Sequence, residues 1–158
     1  MKKYEELNFN IVLIEPEIPT NTGNIGRTCV GTNSKLHIVG PLGFEINDKR
    51  LKRAGLDYWQ HLEWQYYETY EEFLAEVSKT ERMFFFSTKV DRAYTEVQYE
   101  KGDWLIFGKE TKGLAPSLLE SVASQVVTIP MPGQVRSLNL SNSVAIALFE
   151  GLRQVSQK

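Results

Sequence analysis

The sequence has little of the chemistry that builds disulfides, metal centres or membrane spans. Its 158 residues contain one cysteine, Cys29, and two histidines, His37 and His61. A single cysteine excludes an intrachain disulfide and a cysteine-based metal site, and neither histidine stands in an HExxH motif or beside an acidic cluster. No apolar run approaches the roughly 18 residues that a membrane helix needs, and the N-terminus lacks the apolar segment of a signal peptide. We therefore expect a cytoplasmic protein that has no metal centre and does not enter a membrane.

A strong excess of charge is also missing. The 18 Lys and Arg residues against 20 Asp and Glu leave a formal net charge of −2, and the hydrophobic fraction of 42% is that of an ordinary globular protein. This balance argues against a protein that coats nucleic acid, so a nucleic-acid partner would have to meet a local basic patch. The length suits one domain that spans residues 1–158.

Short apolar runs alternate with amphipathic segments along the chain. We predict strands over residues 10–15, 35–39, 62–67, 83–88, 104–108 and 125–130. We predict helices from Asn21 or Thr22 to about residue 30, over residues 47–59, 69–79 and 116–123, and from about residue 140 towards the C-terminus. This alternation indicates an α/β fold, with a single open, mostly parallel sheet flanked by helices. His37 lies inside an apolar run and is interpreted as a core or sheet-edge histidine.

Three loops after predicted strands are rich in glycine and small polar residues. They read NTGNIGR (residues 21–27), FGKETKGL (107–114) and IPMPGQVRSLNLSN (129–142). Ligands of open α/β sheets collect at such loops. None of the three contains a GxGxxG, P-loop or GxSxG signature. In the third loop, prolines and a glycine break regular structure, and Asn139 or Ser141 is predicted to cap the last helix. An ordinary connection between strand and helix is the alternative interpretation of this loop.

A basic run and an apolar helix face are candidate surfaces for binding RNA and a second subunit. The residues Lys49, Arg50, Lys52 and Arg53 form the densest basic run in the chain. Such a run is typical of a solvated helix face, and it is also suited to contact with phosphates. The last helix carries an apolar stripe with two flanking apolar residues: Leu140, Val144, Leu148 and Leu152, then Ala145 and Phe149. This arc is wider than one core contact requires, which suggests burial against a second subunit.

Taken together, these stretches resemble the motifs of the SPOUT class of RNA methyltransferases. The segments PEIPTNTGNIGR, DKRLKRAGLDYW, FGKETKGL and RSLNLSNSV are similar to the small TrmL-type (YibK or CspR) members of that class, and the similarity runs from Asn10 to about Arg153. It implies transfer of a methyl group from S-adenosylmethionine to the ribose 2′-oxygen of the wobble nucleotide (position 34, cytidine or modified uridine) of leucine tRNAs. It also implies a homodimer and a C-terminal trefoil knot. Methylation of another RNA site, or a non-catalytic RNA-binding protein of the same fold, are the alternatives.

The resemblance also assigns the residues of the site. It places the methyl donor at Phe86, Gly108, Ile129, Met131, Ser137 and Leu138. Arg27 matches the catalytic arginine of the family. Because a guanidinium rarely gives up its proton, we favour a clamp on an RNA phosphate and stabilisation of the developing alkoxide over proton abstraction. A solvent-facing arginine near a helix end is the alternative.

A second group is expected to bind RNA or to organise the site. It comprises Asn24, Lys49, Arg50, Lys52, Arg53, Glu110, Asn139, Asn142 and Phe149. Glu110 could equally cap the helix that follows it. Phe149 stands where enterobacterial relatives carry a tyrosine, so any contact of that hydroxyl with tRNA is absent here, although the ring is kept.

Overall fold

Parallel pairing joins all the described strands into one sheet. The computed structural model describes residues 8–47, 49–54, 58–77 and 81–157. Its strands are β1 (Asn10–Ile14), β2 (Lys35–Val39), β3 (Trp64–Tyr67), β4 (Met83–Phe86), β5 (Trp104–Phe107) and β6 (Val126–Val127). They lie in the order β3-β2-β1-β5-β4-β6, and every neighbouring pair is parallel. The predicted open α/β sheet is confirmed.

Five helices flank the sheet within the described residues. They are α1 (Pro19–Gly31), α2 (Lys49–Ala54), α3 (Tyr70–Glu76), α4 (Pro116–Ser121) and α5 (Leu140–Ser156). Short 3₁₀ turns occur at Trp59–His61, Tyr94–Glu96 and Ala123–Gln125. None of the described helices is long and apolar enough to cross a membrane.

The sheet is covered on both faces, which explains why β1 is apolar without alternation. Ile11 and Leu13 belong to a core cluster that includes residues of α1 and α5, whereas Val12 and Ile14 belong to a second cluster that includes Phe73 of α3. Successive side chains of a strand point to opposite faces, so this central strand is apolar at every position except Asn10, whose buried side chain is hydrogen-bonded to His37. All five residues of β1 are accordingly buried.

The apolar stripe of α5 is part of the protein's own core. Leu140, Val144, Leu148 and Leu152 are all at most 9% exposed. Gly151 of the same helix meets the ring of Phe9 so closely that a Cβ atom would lie 2.7 Å from it. Outside the stripe, Phe149 is 57% exposed. The stripe therefore needs no second subunit to be buried, and the homodimer stays a prediction, as does the knot.

The start of α1 differs from the prediction. The helix begins at Pro19, and Ile18 precedes it without a side-chain cap. Neither Asn21 nor Thr22 caps it, because both residues lie inside the helix with buried side chains. Proline at the first helical position has no backbone N–H, so one fewer donor needs a cap. By contrast, α3 has a side-chain cap, since Thr69 Oγ1 accepts a hydrogen bond from the Glu72 N–H at 3.1 Å.

Several predicted elements are longer than the observed ones. Helix α2 is described to Ala54, residues 55–57 lie outside the described residues, and the chain then forms the 3₁₀ turn at Trp59–His61. Strand β4 ends at Phe86 rather than at residue 88, and β6 ends at Val127 rather than at residue 130. In both cases the chain leaves the sheet where its residues begin to line a cleft.

Two buried polar side chains are structural. His37 is 2% exposed and makes hydrogen bonds to Tyr67 Oη at 3.0 Å and to Asn10 Oδ1 at 2.9 Å. Burial, together with the charge of Lys35, lowers the pKa of His37 to about 3, so the ring is neutral at physiological pH. The interpretation of His37 as a core histidine is confirmed. Cys29 lies in α1 with no exposed surface, and burial raises the pKa of its thiol.

Candidate functional site

A cleft of about 880 Å³ opens at the carboxyl ends of β1, β4, β5 and β6. The parallel register brings these strand ends together, so loops that are distant in sequence face one another. All six residues that the sequence assigned to the methyl donor line this cleft: Phe86, Gly108, Ile129, Met131, Ser137 and Leu138. The structure thus brings the whole set together around one space.

Aromatic and aliphatic side chains form one wall of the cleft. The rings of Phe86 and Phe107 are stacked, with centroids 4.6 Å apart and planes 18° from parallel. Ile129, Met131 and Leu138 also line the cleft. An apolar wall with a few polar groups around it suits a ligand that carries a flat heterocycle.

The turn after β5 requires glycine at two positions. The Gly113 N–H donates to the Lys109 carbonyl at 2.9 Å, and Gly113 has a φ of 67°, a conformation that favours glycine. A Cβ atom on Gly108 would overlap the backbone of Gly113 and Leu114. The close approach to Gly108 is therefore made by the loop's own backbone.

Glu110 joins the second loop to the start of α1. Its carboxylate accepts hydrogen bonds from the Glu17 N–H at 2.7 Å, the Ile18 N–H at 2.8 Å and Asn21 Nδ2 at 3.2 Å. The negative charge thus lies at the positive end of the α1 dipole, where it is stabilising. The alternative that Glu110 caps the following helix is wrong, because α4 has no side-chain cap and the carboxylate instead serves a helix far away in sequence.

Asn139 joins the third loop to the first. Its Oδ1 accepts a hydrogen bond from the Ser141 N–H at 2.9 Å, which confirms it as the cap of α5. Its Nδ2 donates to Asn21 Oδ1 at 3.1 Å. Asn21, whose side chain bonds both Asn139 and Glu110, is therefore the link between the three loops. The sequence prediction treated Asn21 as a helix cap and missed this role.

A second contact joins the first and second loops. Glu17 Oε1 accepts hydrogen bonds from Thr111 Oγ1 at 2.7 Å and from the Thr111 N–H at 3.0 Å, and these bonds lower the pKa of Glu17. Lys109 Nζ lies 3.5 Å from Glu15 Oε1. The sequence prediction missed Glu17 and Thr111. The sequence signal that could have identified Glu17 is the pair of acidic residues, Glu15 and Glu17, close to the end of β1.

The predicted catalytic arginine lies outside the cleft. Arg27 is exposed on α1, with its guanidinium carbon 4.7 Å from the centroid of the Tyr58 ring. Asn24 and Asn142 are exposed and do not line the cleft either. Helix α2 packs beside α1. Its Lys49, Arg50 and Arg53 are exposed, whereas the side chain of Lys52 lies outside the described part of the chain.

The predicted site is therefore divided between two surfaces. The cleft holds the residues expected to bind the donor, together with Glu110 and Asn139. The second surface, here called the outer face, comprises Arg27, Asn24 and the basic residues of α2. No group of three or more His, Cys, Asp and Glu side chains within the described ranges could hold a metal ion.

Comparison with known proteins gives consistent matches over more than nine-tenths of the chain. The model of the SpoU rRNA Methylase family matches residues 8–149. A tRNA (cytidine(34)-2'-O)-methyltransferase of Burkholderia pseudomallei is 46% identical, over 92% of this chain and 95% of that protein. One of Escherichia coli K12 is 48% identical, over 93% of this chain and 94% of that protein. A solved structure described as giving insight into the 2-OH methylation of C/U34 on tRNA superimposes with a TM-score of 0.91 and 39% identity, over 95% of this chain and 97% of that one.

Proposed function

This chain belongs to the SpoU rRNA Methylase family, and from that premise we propose that it transfers the methyl group of S-adenosylmethionine to the ribose 2′-oxygen of nucleotide 34 of tRNA. The observation that carries the proposal is the cleft, which the second and third predicted loops line and to which the first segment, part of helix α1 in the structure, contributes Asn21. Relatives that match more than nine-tenths of the chain are named for this reaction on cytidine 34.

The cleft suits the proposed donor. The stacked pair of Phe86 and Phe107 offers an apolar surface for adenine, and the bent loops around Gly108 and Met131 present backbone groups to its edge. When bound, S-adenosylmethionine supplies an electrophilic methyl group on a sulfonium. The protein's part is to exclude water and to orient the acceptor oxygen towards that methyl group.

Arg27 is proposed to act on the acceptor. Its guanidinium carries a fixed positive charge and several N–H donors, which can hold an RNA phosphate and stabilise negative charge that develops on the 2′-oxygen. Since Arg27 does not line the cleft of its own chain, we further propose a homodimer, in which the outer face of one subunit holds RNA beside the cleft of the other.

The basic residues of α2 are proposed to hold the anticodon stem. Lys49, Arg50 and Arg53 are exposed and lie on a helix that packs against the one carrying Arg27. Each phosphate contact contributes about one unit to the slope of log affinity against log salt. We expect Arg50→Glu with Arg53→Glu to weaken tRNA binding and to flatten this slope by about 1 to 2. Lys101→Glu, at an exposed position in the turn before β5, serves as the control for a change of charge of the same sign away from α2.

For the substrate we propose leucine tRNAs. The decisive experiment is nucleoside mass spectrometry of total tRNA from cells with and without the gene, followed by addition of purified protein and labelled S-adenosylmethionine. We expect loss and recovery of 2′-O-methylation at nucleotide 34 of leucine tRNAs, and no recovery with Arg27→Ala. Methylation of a different RNA would refute the substrate, and absence of transfer to any RNA would refute the reaction.

A further inference from the structure

The guanidinium of Arg27 is held by an aromatic ring rather than by a carboxylate. Its carbon lies 4.7 Å from the centroid of the Tyr58 ring, and no carboxylate of the described residues pairs with it. A cation over a ring face is attracted by the ring quadrupole. This contact uses the face of the guanidinium and leaves its in-plane N–H donors available. The contact therefore orients Arg27 without neutralising it.

Tyr58 is itself anchored by its neighbours in the chain. It directly precedes the 3₁₀ turn Trp59–His61, and the ring of Trp59 lies 5.4 Å from that of Trp64. On α1, the residue before Arg27 is Gly26, where a Cβ atom would lie 3.2 Å from Trp59 and 3.2 Å from Leu62. The helix thus approaches this turn closely at the position next to Arg27. The ring and the guanidinium are brought together by packing that does not depend on either of them.

We propose that Tyr58 is a positioning residue for Arg27, which selects the side-chain conformation in which the guanidinium meets RNA. The inference rests on the proposed function, in which Arg27 contacts the acceptor. An arginine side chain on an exposed helix face loses considerable conformational entropy when it binds RNA. A ring that stacks on the guanidinium already restricts the side chain in the free protein, so less entropy is lost on binding. The ring supplies this effect, and the hydroxyl of Tyr58 is not needed for it.

The test compares two substitutions at Tyr58. Tyr58→Phe keeps the ring and should retain wild-type kcat. Tyr58→Leu removes it and should lower kcat for tRNA by about two- to fivefold, the range expected for an exposed cation–π contact. The KM for S-adenosylmethionine should not change, because Tyr58 does not line the cleft. Arg27→Ala is expected to be inactive, so the double variant is compared by tRNA affinity, and Tyr58→Leu should cause no further loss of that affinity in the Arg27→Ala background.

The control is Tyr66→Leu. Tyr66 is half-buried, as Tyr58 is, but no described arginine lies over its ring. A loss of kcat equal to that of Tyr58→Leu would show a general effect of removing a tyrosine and would overturn the proposal. Equal losses in Tyr58→Phe and Tyr58→Leu would overturn it as well, because the hydroxyl would then be responsible.

A measurement independent of turnover separates this inference from the proposed function. Ring currents of Tyr58 should shift the NMR resonances of the Arg27 side-chain methylenes, and Tyr58→Leu should abolish the shift while Tyr58→Phe preserves it. If the wild-type protein methylates no RNA, the proposed function fails and the role in positioning falls with it, even where the ring-current shift is present. If the protein is active and the shift is absent, only the role of Tyr58 is refuted.

Discussion

At the scale of single residues, the carboxylate of Glu110 holds the start of α1 against the loop that follows β5. It satisfies two backbone N–H groups at the start of α1 and one side-chain amide, that of Asn21. Hydrogen bonds to a charged group are worth about 1.5 to 3 kcal/mol each, more than those between neutral partners. Glu110 thus ties the second loop, between β5 and α4, to the start of α1, which is far away in sequence.

Gly108 gives a prediction at the same scale. Because a Cβ atom there would overlap the backbone of the turn, Gly108→Ala must displace Gly113 or Leu114. We expect a loss of about 1 to 3 kcal/mol in the free energy of unfolding and much weaker binding of S-adenosylmethionine. Urea unfolding and calorimetric titration measure the two effects.

The matched control is Gly133→Ala in the third loop, where a Cβ atom meets nothing within 4 Å. It should leave the free energy of unfolding within about 0.5 kcal/mol of the wild-type value. Equal behaviour of the two variants would contradict the steric argument.

His37 gives a prediction about pH. Its pKa is lowered from 6.5 to about 3 in the folded protein, so between these values the unfolded chain binds a proton that the folded chain does not. Its contribution to stability is complete above pH 6.5 and is lost as the pH falls. At pH 5 the loss amounts to about 2 kcal/mol. Urea unfolding at pH 7 and pH 5 should show this difference, and His37→Gln should reduce it. An unchanged difference in that variant would refute the assignment.

At the scale of secondary-structure elements, α5 depends on its first turn. Asn139 caps the helix and also bonds Asn21 on α1. Asn139→Ala removes both contacts and should lower the free energy of unfolding by about 1 to 2 kcal/mol. Asn142 is exposed on the same helix, so Asn142→Ala should change it by less than about 0.5 kcal/mol. Thermal unfolding of the two variants compares them directly, and equal shifts would argue against the cap.

Local patterns predicted most elements but not the contacts between them. Strand β2 was predicted with its observed bounds, because five apolar or β-compatible residues stand between two turns. The core histidine and the cap by Asn139 were also predicted from local sequence. In contrast, Asn21 was predicted to cap α1, although its side chain serves Glu110 and Asn139. Periodicity reports which face of an element is buried and does not report which distant side chain it meets.

Local sequence also did not show that the predicted site is divided between the cleft and the outer face. The sequence placed Arg27 and the donor residues in one site, since all lie in the loops or helices that the resemblance marks. The structure places Arg27 on the outer face, away from the cleft. Because position along a helix determines direction as well as distance, Asn21 lines the cleft whereas Arg27, six residues on, does not.

At the scale of the whole molecule, the proposed dimer makes a specific prediction. If each active site combines Arg27 of one subunit with the cleft of the other, two inactive variants can complement each other. Ser137→Trp fills the cleft, since Ser137 lines it, and Arg27→Ala removes the arginine. After mixing and exchange of subunits, roughly a quarter of the wild-type activity should return, from the one intact site of each mixed dimer.

The outcome distinguishes two arrangements. A site built within one subunit would give no recovery on mixing, because each chain would carry its own defect. The control is Val135→Trp, which alters an exposed residue of the same loop that does not line the cleft. It should be active on its own. Light scattering on each protein shows whether the dimer itself has formed.

The burial of Cys29 makes the protein a convenient object for labelling. The chain has one cysteine, and it lies with no exposed surface in the helix that also carries Arg27. A thiol-specific dye can react with it only while α1 has moved away from the sheet, so the labelling rate reports how often that happens. No engineered cysteine is needed for such an assay. Ligands that stabilise the packing of α1 against the sheet should therefore lower the rate at which the dye labels Cys29.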